Sequence, residues 1–380
     1  MRVLNVNTTL DPVHGGGMAE RTYQMSRFLA KAGVDCAVLA TDLGLTPERL
    51  EALHGVEVLA LPCLSKRFYI PEGPYEKIWD FVQAADVVHL MGHWSALNTI
   101  VSLMAGRLRI PYVVCPAGAL PIYGRSKVMK RIYNAVIGKR LIRRASGHIA
   151  IAPVEVDQFG EYGVASDRIS VIPNGVDEEE FSYADGGAFR RRFDLGDAPL
   201  ILFMGRLNAI KGPDLLLEAF CRCRDTVRDR HLVFVGPDDG MRDALEERAG
   251  ALGITDRVHF TGYLGGSEKS QAYHAAELLV IPSRQEAMSI VVLEAGIAGT
   301  PVLITEPCGF GEVAKAGGGR VVPPTLEGLE DGLTGMLQNP ELLKGMGNRL
   351  KEHVRRHFAW PVIASKYAEE LARHVKRFPR

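Results

Sequence analysis

Leu200-Ile201-Leu202-Phe203-Met204-Gly205-Arg206-Leu207-Asn208-Ala209-Ile210-Lys211-Gly212-Pro213-Asp214 runs from an unbroken apolar segment through a glycine-bounded loop into a helical pattern with Leu215, Leu216, Ala219 and Phe220 on one side. A short apolar run without alternation is the signature of a strand buried on both faces, and such strands belong to parallel sheets covered by helices. The unit recurs. Before it come Arg2–Asn7, Cys36–Ala40, Val56–Leu61, Val87–Leu90, Tyr112–Cys115, His148–Ala152 and Ile169–Ile172, and after it Leu232–Gly236, Val258–Gly262, Leu278–Pro282 and Pro301–Thr305. Helical patterns fill the gaps, so the class is α/β with two doubly wound parallel sheets.

The rhythm breaks at Val171-Ile172-Pro173-Asn174-Gly175-Val176-Asp177, a cluster of turn residues followed by a polar stretch to about Ala198. An N-terminal domain over 1–175 and a C-terminal domain over 176–360 are expected, and 380 residues suit two domains at ~150 each. A last helix from Pro361 to about Lys376 can pack against either half, the segment 361–380 being placed provisionally with the first. A composition of 47% hydrophobic and 24% charged residues excludes disorder and predicts sizeable cores. The longest apolar stretches, such as Ile100 to Ala105, fall short of the ~18–20 residues of a membrane span, and Met1 to Asn5 reads as the start of a strand rather than a signal peptide. The six cysteines show no Cys-x-x-Cys pair, which points to a reducing cytoplasm and no metal. Cys221-x-Cys223 with His231 resembles half a zinc site, but helix-face thiols account for it better.

Forty-five basic residues balance forty-five acidic ones, so the net charge argues against nucleic acid as a partner. The distribution is uneven. No acidic residue lies between Asp86 and Glu155, while Arg107, Arg109, Arg125, Lys127, Lys130, Arg131, Lys139, Arg140, Arg143 and Arg144 supply ten positive charges. Lys127 to Arg144 reads as a helix that mixes seven of those cations with Val128, Met129, Ile132, Tyr133, Val136, Ile137, Leu141 and Ile142. Such a helix suits an anionic membrane surface. Alternatively its apolar residues face the domain core and its cations are merely solvated.

Three loops carry chemistry. His14-Gly15-Gly16-Gly17-Met18-Ala19-Glu20 opens the first helix, where bare amides can meet an anion or polar ligand. It does not complete the dinucleotide Gly-x-Gly-x-x-Gly pattern, and a flexible loop is the plain alternative. Arg206 and Lys211, five positions apart on the loop after Met204, can converge on a diphosphate. Glu286-Ala287-Met288-Ser289-Ile290-Val291-Val292-Leu293-Glu294 places two carboxylates eight positions apart. With Glu286 at a helix entrance and Glu294 two turns inside they stand roughly 10 Å apart, and the amides of Met288, Ser289 and Ile290 lie between them. Glu286 can instead be a helix cap, and Glu294 the buried partner of a neighbouring cation.

These loops, with Pro173-Asn174-Gly175-Val176-Asp177 at the crossover and Gly299-Thr300-Pro301-Val302 after the second carboxylate, make the chain resemble the family-4 glycosyltransferases of the GT-B type over nearly its whole length. That resemblance implies two Rossmann-like domains facing a central cleft that closes by hinge motion. It implies transfer of a sugar from a UDP- or GDP-sugar with retention of configuration and without metal or other cofactor. It assigns Arg206, Lys211 and Glu286 as the catalytic set, the cations on the diphosphate and Glu286 on the sugar hydroxyls. Gly16, Gly17, Tyr263, Met288, Ser289, Ile290 and Glu294 would bind the donor, with Glu294 at the ribose and Gly262-Tyr263-Leu264 at the base.

Two departures stand out. Many relatives carry His-Gly after the strand Tyr112–Cys115, whereas this chain has Ala117 where that His would stand. Cys115-Pro116-Ala117-Gly118-Ala119-Leu120 and His89-Leu90-Met91-Gly92-His93-Trp94 resemble instead a polysaccharide-assembly subgroup, which implies a glycan or lipid-linked glycan acceptor at the inner face of the plasma membrane. The family's Glu-Gly-Phe-Gly becomes Glu286-Ala287-Met288-Ser289, adding a hydroxyl that can donate to a phosphate. His14 and His93 stay outside the catalytic set: His14 reads equally as a contact to sugar or acceptor and as a turn residue, whereas His93 can line the acceptor side but reads better as a strand-end cap of the following helix. A nucleotide-sugar 2-epimerase shares the architecture but lacks the Arg-x4-Lys loop paired with Glu-x7-Glu, and Ala117 makes a degenerate nucleotide-sugar-binding protein the other alternative.

Overall fold

The computed structural model describes residues 1–13, 15–65, 70–73, 75–122 and 126–378. His14 and Arg125 lie outside them. The chain divides into two compact units, Met1–Gly175 with Trp360–Arg380, and Val176–Ala359.

In the first unit the strands are β1 (Arg2–Val6), β2 (Asp35–Thr41), β3 (Val56–Leu61), β4 (Val87–Met91), β5 (Tyr112–Cys115), β6 (Gly147–Ala150) and β7 (Ile169–Val171). They form one parallel sheet in the order β3-β2-β1-β4-β5-β6-β7. β1 and β4 to β6 are buried almost throughout, so their side chains meet helices on both faces: Leu4, Val6, Val88, Leu90 and Val114 join one core with Leu97, Val101 and Phe159. In the second unit β8 (Leu200–Met204), β9 (His231–Val235), β10 (Val258–Gly262), β11 (Ala276–Ile281), β12 (Val302–Thr305) and β13 (Gly319–Val322) pair in parallel as β10-β9-β8-β11-β12-β13. This is the doubly wound order, and its strand order reverses at β8/β11, where such sheets open a crevice at their carboxyl ends. β13 is absent from the sequence reading. It is a four-residue edge strand entered through Gly317-Gly318-Gly319, too short and glycine-rich to stand out.

The C-terminal helix Trp360–Arg377 belongs to the first unit. Trp360 stacks on Phe28 at 6.1 Å, and Tyr367 bonds Arg21 on the helix Gly16–Lys31. The basic segment is continuous but not regular. Lys127–Tyr133 and Lys139–Arg144 are α-helical, and Asn134–Gly138 between them is a π-turn. Its apolar residues divide: Leu141 and Ile142 are buried, whereas Val128, Met129, Ile132 and Val136 are between 57% and 66% exposed, on one stripe four residues in period. The core reading therefore holds for only part of the set. Among the described residues no helix is long and apolar enough to cross a membrane.

Candidate active site

The site residues of the second unit sit at the carboxyl ends of β8 to β11. β8 is a fully buried Leu-Ile-Leu-Phe-Met run, and its chain leaves the sheet at Gly205, whose amide bonds the Val235 carbonyl at 2.9 Å. Gly236 after β9 in turn donates to the carbonyl of Gly262, the last residue of β10, at 2.9 Å, which stitches three strand ends together. Asn208 shapes the first loop: its Oδ1 accepts from the Lys211 amide at 3.0 Å and its Nδ2 donates to Asp239 at 2.9 Å. Gly212 has φ +69 and lies so close to the Pro282 carbonyl that a Cβ would overlap it. Only glycine lets the Lys211 loop approach the turn after β11 this closely. Arg284 fastens the approach with two bonds to the Asp214 carboxylate, at 2.8 and 2.6 Å.

That packing brings Lys211 and Glu286 together. The Lys211 Nζ lies 2.8 Å from Glu286 Oε1, and Glu286 Oε2 accepts from Ser283 Oγ at 3.2 Å. The Arg206 side chain is exposed and has no hydrogen-bond or ion-pair partner among the described residues. The helix that follows begins at Ile290, not at Glu286. Glu286 donates its amide to the Pro307 carbonyl and Ser289 its amide to the Cys308 carbonyl, so the backbone stays non-helical up to Ser289, the N-cap. The amides at the helix entrance are therefore those of Ile290 and the two residues after it. Among the described residues no side chain caps them, and Ser289 Oγ is buried without a partner. Met288 is buried beside it, and Tyr263 after β10 is 45% exposed.

Glu294 lies one turn inside this helix and is 3% exposed. Lys269 Nζ donates to its Oε1 and the Tyr273 hydroxyl to its Oε2, each at 2.6 Å. Burial and the neighbouring carboxylate push the Tyr273 phenol well above its usual range, so it stays a donor. Glu294 is thus the partner of a neighbouring cation, with lone pairs left on both carboxylate oxygens. Sequence reading missed Lys269 and Tyr273. Their spacing of four on the helix Gly266–Ala275 was a signal that they share a face. Gly16 and Gly17 lie in the first unit, where Gly16 opens the first helix at φ +56 with Gly15 as an N-cap lacking a side-chain bond. The structure therefore brings together Lys211 with Glu286, and Ser289 with Ile290, while Gly16 and Gly17 belong to a different unit.

Sequence profiles of known families match both halves, the glycosyl transferase 4-like domain over residues 16–175 and the glycosyl transferases group 1 over residues 188–353. A D-inositol 3-phosphate glycosyltransferase of Actinosynnema mirum is 38% identical over 351 residues, covering 85% of this chain and 80% of that protein. The chain belongs to the group 1 glycosyltransferases. A second enzyme of that description, from Nocardia farcinica, is 31% identical over 250 residues, though the match spans 63% of this chain and only 55% of that protein. Among solved structures, Anabaena HepE in complex with UDP and glucose superposes with a TM-score of 0.80 at 19% identity, covering 98% of this chain and 99% of that one, a likeness of fold. The enzyme is a nucleotide-sugar-dependent glycosyltransferase of GT-B fold, which decides against the 2-epimerase.

Proposed function

We propose that this glycosyltransferase moves a sugar from a UDP- or GDP-sugar to a glycan or lipid-linked glycan, with retention of configuration and without a metal, as in exopolysaccharide assembly. The observation that carries the donor half is the convergence of Lys211, Glu286 and an uncapped helix entrance at the carboxyl end of one sheet. As the diphosphate departs it gains negative charge. Arg206, Lys211, the first-turn amides and Ser289 Oγ supply positive charge and donors for it, the task a divalent ion performs elsewhere. Glu286 is held by Lys211 and Ser283 with lone pairs left for sugar hydroxyls, and Glu294 is steadied for the ribose. Retention follows from the family-4 resemblance. Crystals of Anabaena HepE that hold UDP and UDP-glucose favour the uridine donor.

Thermal shifts with UDP-, GDP- and ADP-sugars test the donor. One of them should stabilise the enzyme by ~2.7 kcal/mol at 100 times its dissociation constant. Transfer should also persist in EDTA. No stabilisation by any of the three, or complete and reversible loss of transfer on chelation, overturns the corresponding part of the reading.

For the acceptor, the exposed stripe Val128, Met129, Ile132 and Val136 among Lys127, Arg131, Lys139 and Arg140 supports peripheral docking of this cytoplasmic enzyme on an anionic membrane, beside a lipid-linked substrate. Sedimentation with anionic vesicles at ~50 mM salt should pull the protein down, with release above ~0.5 M as screening shortens to a few ångströms. Replacing Lys139, Arg140, Arg143 and Arg144 by Gln should remove about 4 kcal/mol of attraction, roughly a thousandfold in partitioning. Equal sedimentation of the two proteins would leave this face as solvated surface. The names of the relatives raise a second reading, a small phosphorylated polyol as acceptor. Turnover with free D-inositol 3-phosphate would establish it.

A further inference from the structure

The loop after β4 builds a second constellation, in the first unit, that the donor chemistry does not use. Gly92, at φ +79, places that loop so close to the helix Gly16–Lys31 that a Cβ would come within 2.9 Å of Met18 Sδ. His93 and Trp94 follow, and Ser95 caps the next helix by accepting from the Asn98 amide. His93 is 1% exposed and bonded through Nε2 to Asn134 Oδ1 at 2.8 Å.

The direction of these bonds can be read. The Tyr162 hydroxyl donates to the Leu120 carbonyl at 2.8 Å, so its oxygen accepts from Asn134 Nδ2, also at 2.8 Å. Asn134 Oδ1 must then accept, and His93 carries its hydrogen on Nε2. Burial lowers the His93 pKa to about 4 and keeps the ring neutral. The Tyr133 hydroxyl donates to the His93 carbonyl at 3.0 Å. Asn134 opens the π-turn, a distortion that turns Tyr133 and Asn134 towards one loop and that recurs at functional sites.

His93 and Tyr133, which this network fixes, pack directly on Trp94. Its ring meets His93 edge-on at 4.5 Å and Tyr133 at 5.6 Å, with Lys130 Nζ 5.4 Å above it. Trp94 itself is only half-buried, and its indole N–H has no partner among the described residues. A rigid aromatic surface with a free donor at its edge, at the carboxyl end of a parallel strand, matches a sugar ring, which offers C–H groups on its face and hydroxyls around its rim.

We propose that Trp94 is the platform on which a sugar ring of the acceptor stacks, held in place by His93, Tyr133 and Asn134 as positioning residues. This rests on the reading of a glycan-bearing acceptor. The apolar stripe lies on the same helix as Lys130 and Tyr133, so one element would serve the lipid and the sugar.

Saturation-transfer NMR with hexyl glycosides of glucose, galactose, mannose, N-acetylglucosamine and glucuronic acid tests it, alongside free D-inositol 3-phosphate. At least one glycoside should bind the wild type about tenfold more tightly than Trp94→Ala, with Trp94→Phe in between because it keeps a stacking face. Stabilisation by UDP reports that the second unit of each variant is intact. A glycoside bound equally by wild type and Trp94→Ala overturns the platform and leaves the glycan acceptor standing. Binding of D-inositol 3-phosphate with no glycoside bound overturns both, as does binding of none of the probes.

Discussion

Lys211→Ala is expected to lower transfer ten- to a hundredfold or more, with Arg206→Ala and Glu294→Ala each losing at least tenfold. A charge-assisted hydrogen bond to a diphosphate contributes about 1.5–3 kcal/mol, and 1.4 kcal/mol is one decade. The geometry separates the three. Lys211 also holds Glu286 at 2.8 Å, so its loss removes a phosphate partner and frees the carboxylate proposed for the sugar hydroxyls. If Lys211 is the proposed phosphate partner as well as the anchor of Glu286, its effect should appear in both kcat and donor KM. The Arg206 side chain is exposed and has no partner among the described residues, so Arg206→Ala should leave stability unchanged and act through the diphosphate alone. Glu294→Ala removes the carboxylate to which Lys269 and the buried Tyr273 hydroxyl both donate, so it should lower stability as well as donor affinity. Steady-state kinetics with saturating acceptor, run beside thermal unfolding, reads all of this. Wild-type rates in all three variants would show that the donor is bound elsewhere.

How far the sequence carried the structure depends on what each pattern measures. β8 and the strands like it were legible because a short, wholly apolar run of this kind suits burial on both faces, and the observed burial of Leu200 to Met204 is that condition. β13 was not, because its lead-in is glycine and it pairs on one side only. The helix entrance at Ile290 was misplaced by four residues because Ala287 and Met288 are good helix formers, while the bonds of Glu286 and Ser289 to Pro307 and Cys308 that hold the segment non-helical come from sequence far away. The segment Lys127 to Arg144 shows the same limit. Val128, Ile132 and Val136 share one helical stripe, and Leu141 and Ile142 another, so periodicity predicts a helix without saying which stripe meets the core. Lys211 and Glu286 were both singled out, but their contact needs Gly212 and the Asp214–Arg284 pair, which no local pattern announces.

Arg21→Ala is expected to destabilise the first unit by roughly 3–5 kcal/mol, the range for truncating a large, fully buried side chain. Arg21 is 1% exposed, and among the described residues no carboxylate forms a hydrogen bond or ion pair with it. Its guanidinium bonds Asn174 Oδ1, the Ile172 carbonyl at 2.9 Å and the Tyr367 hydroxyl, and lies 5.3 Å over the Tyr367 ring. Three segments far apart in sequence thus meet at one side chain: the first helix, the end of β7 running into the crossover, and the C-terminal helix. The fork geometry matters as much as the charge, because separate nitrogens serve Asn174 and the pair Ile172 and Tyr367. Arg21→Lys should therefore recover only part of the loss. Arg21→Ala leaves a buried carbonyl and amide oxygen short of a donor and a cavity beside Tyr367, each costing on the order of 1–3 kcal/mol. Trp360, 2% exposed on the same C-terminal helix, gives a fluorescence probe of whether that helix stays docked during denaturant unfolding. A midpoint free energy within about 0.5 kcal/mol of wild type, the range of an ordinary surface substitution, would mean that apolar packing around Trp360 and Tyr367 holds the helix without Arg21.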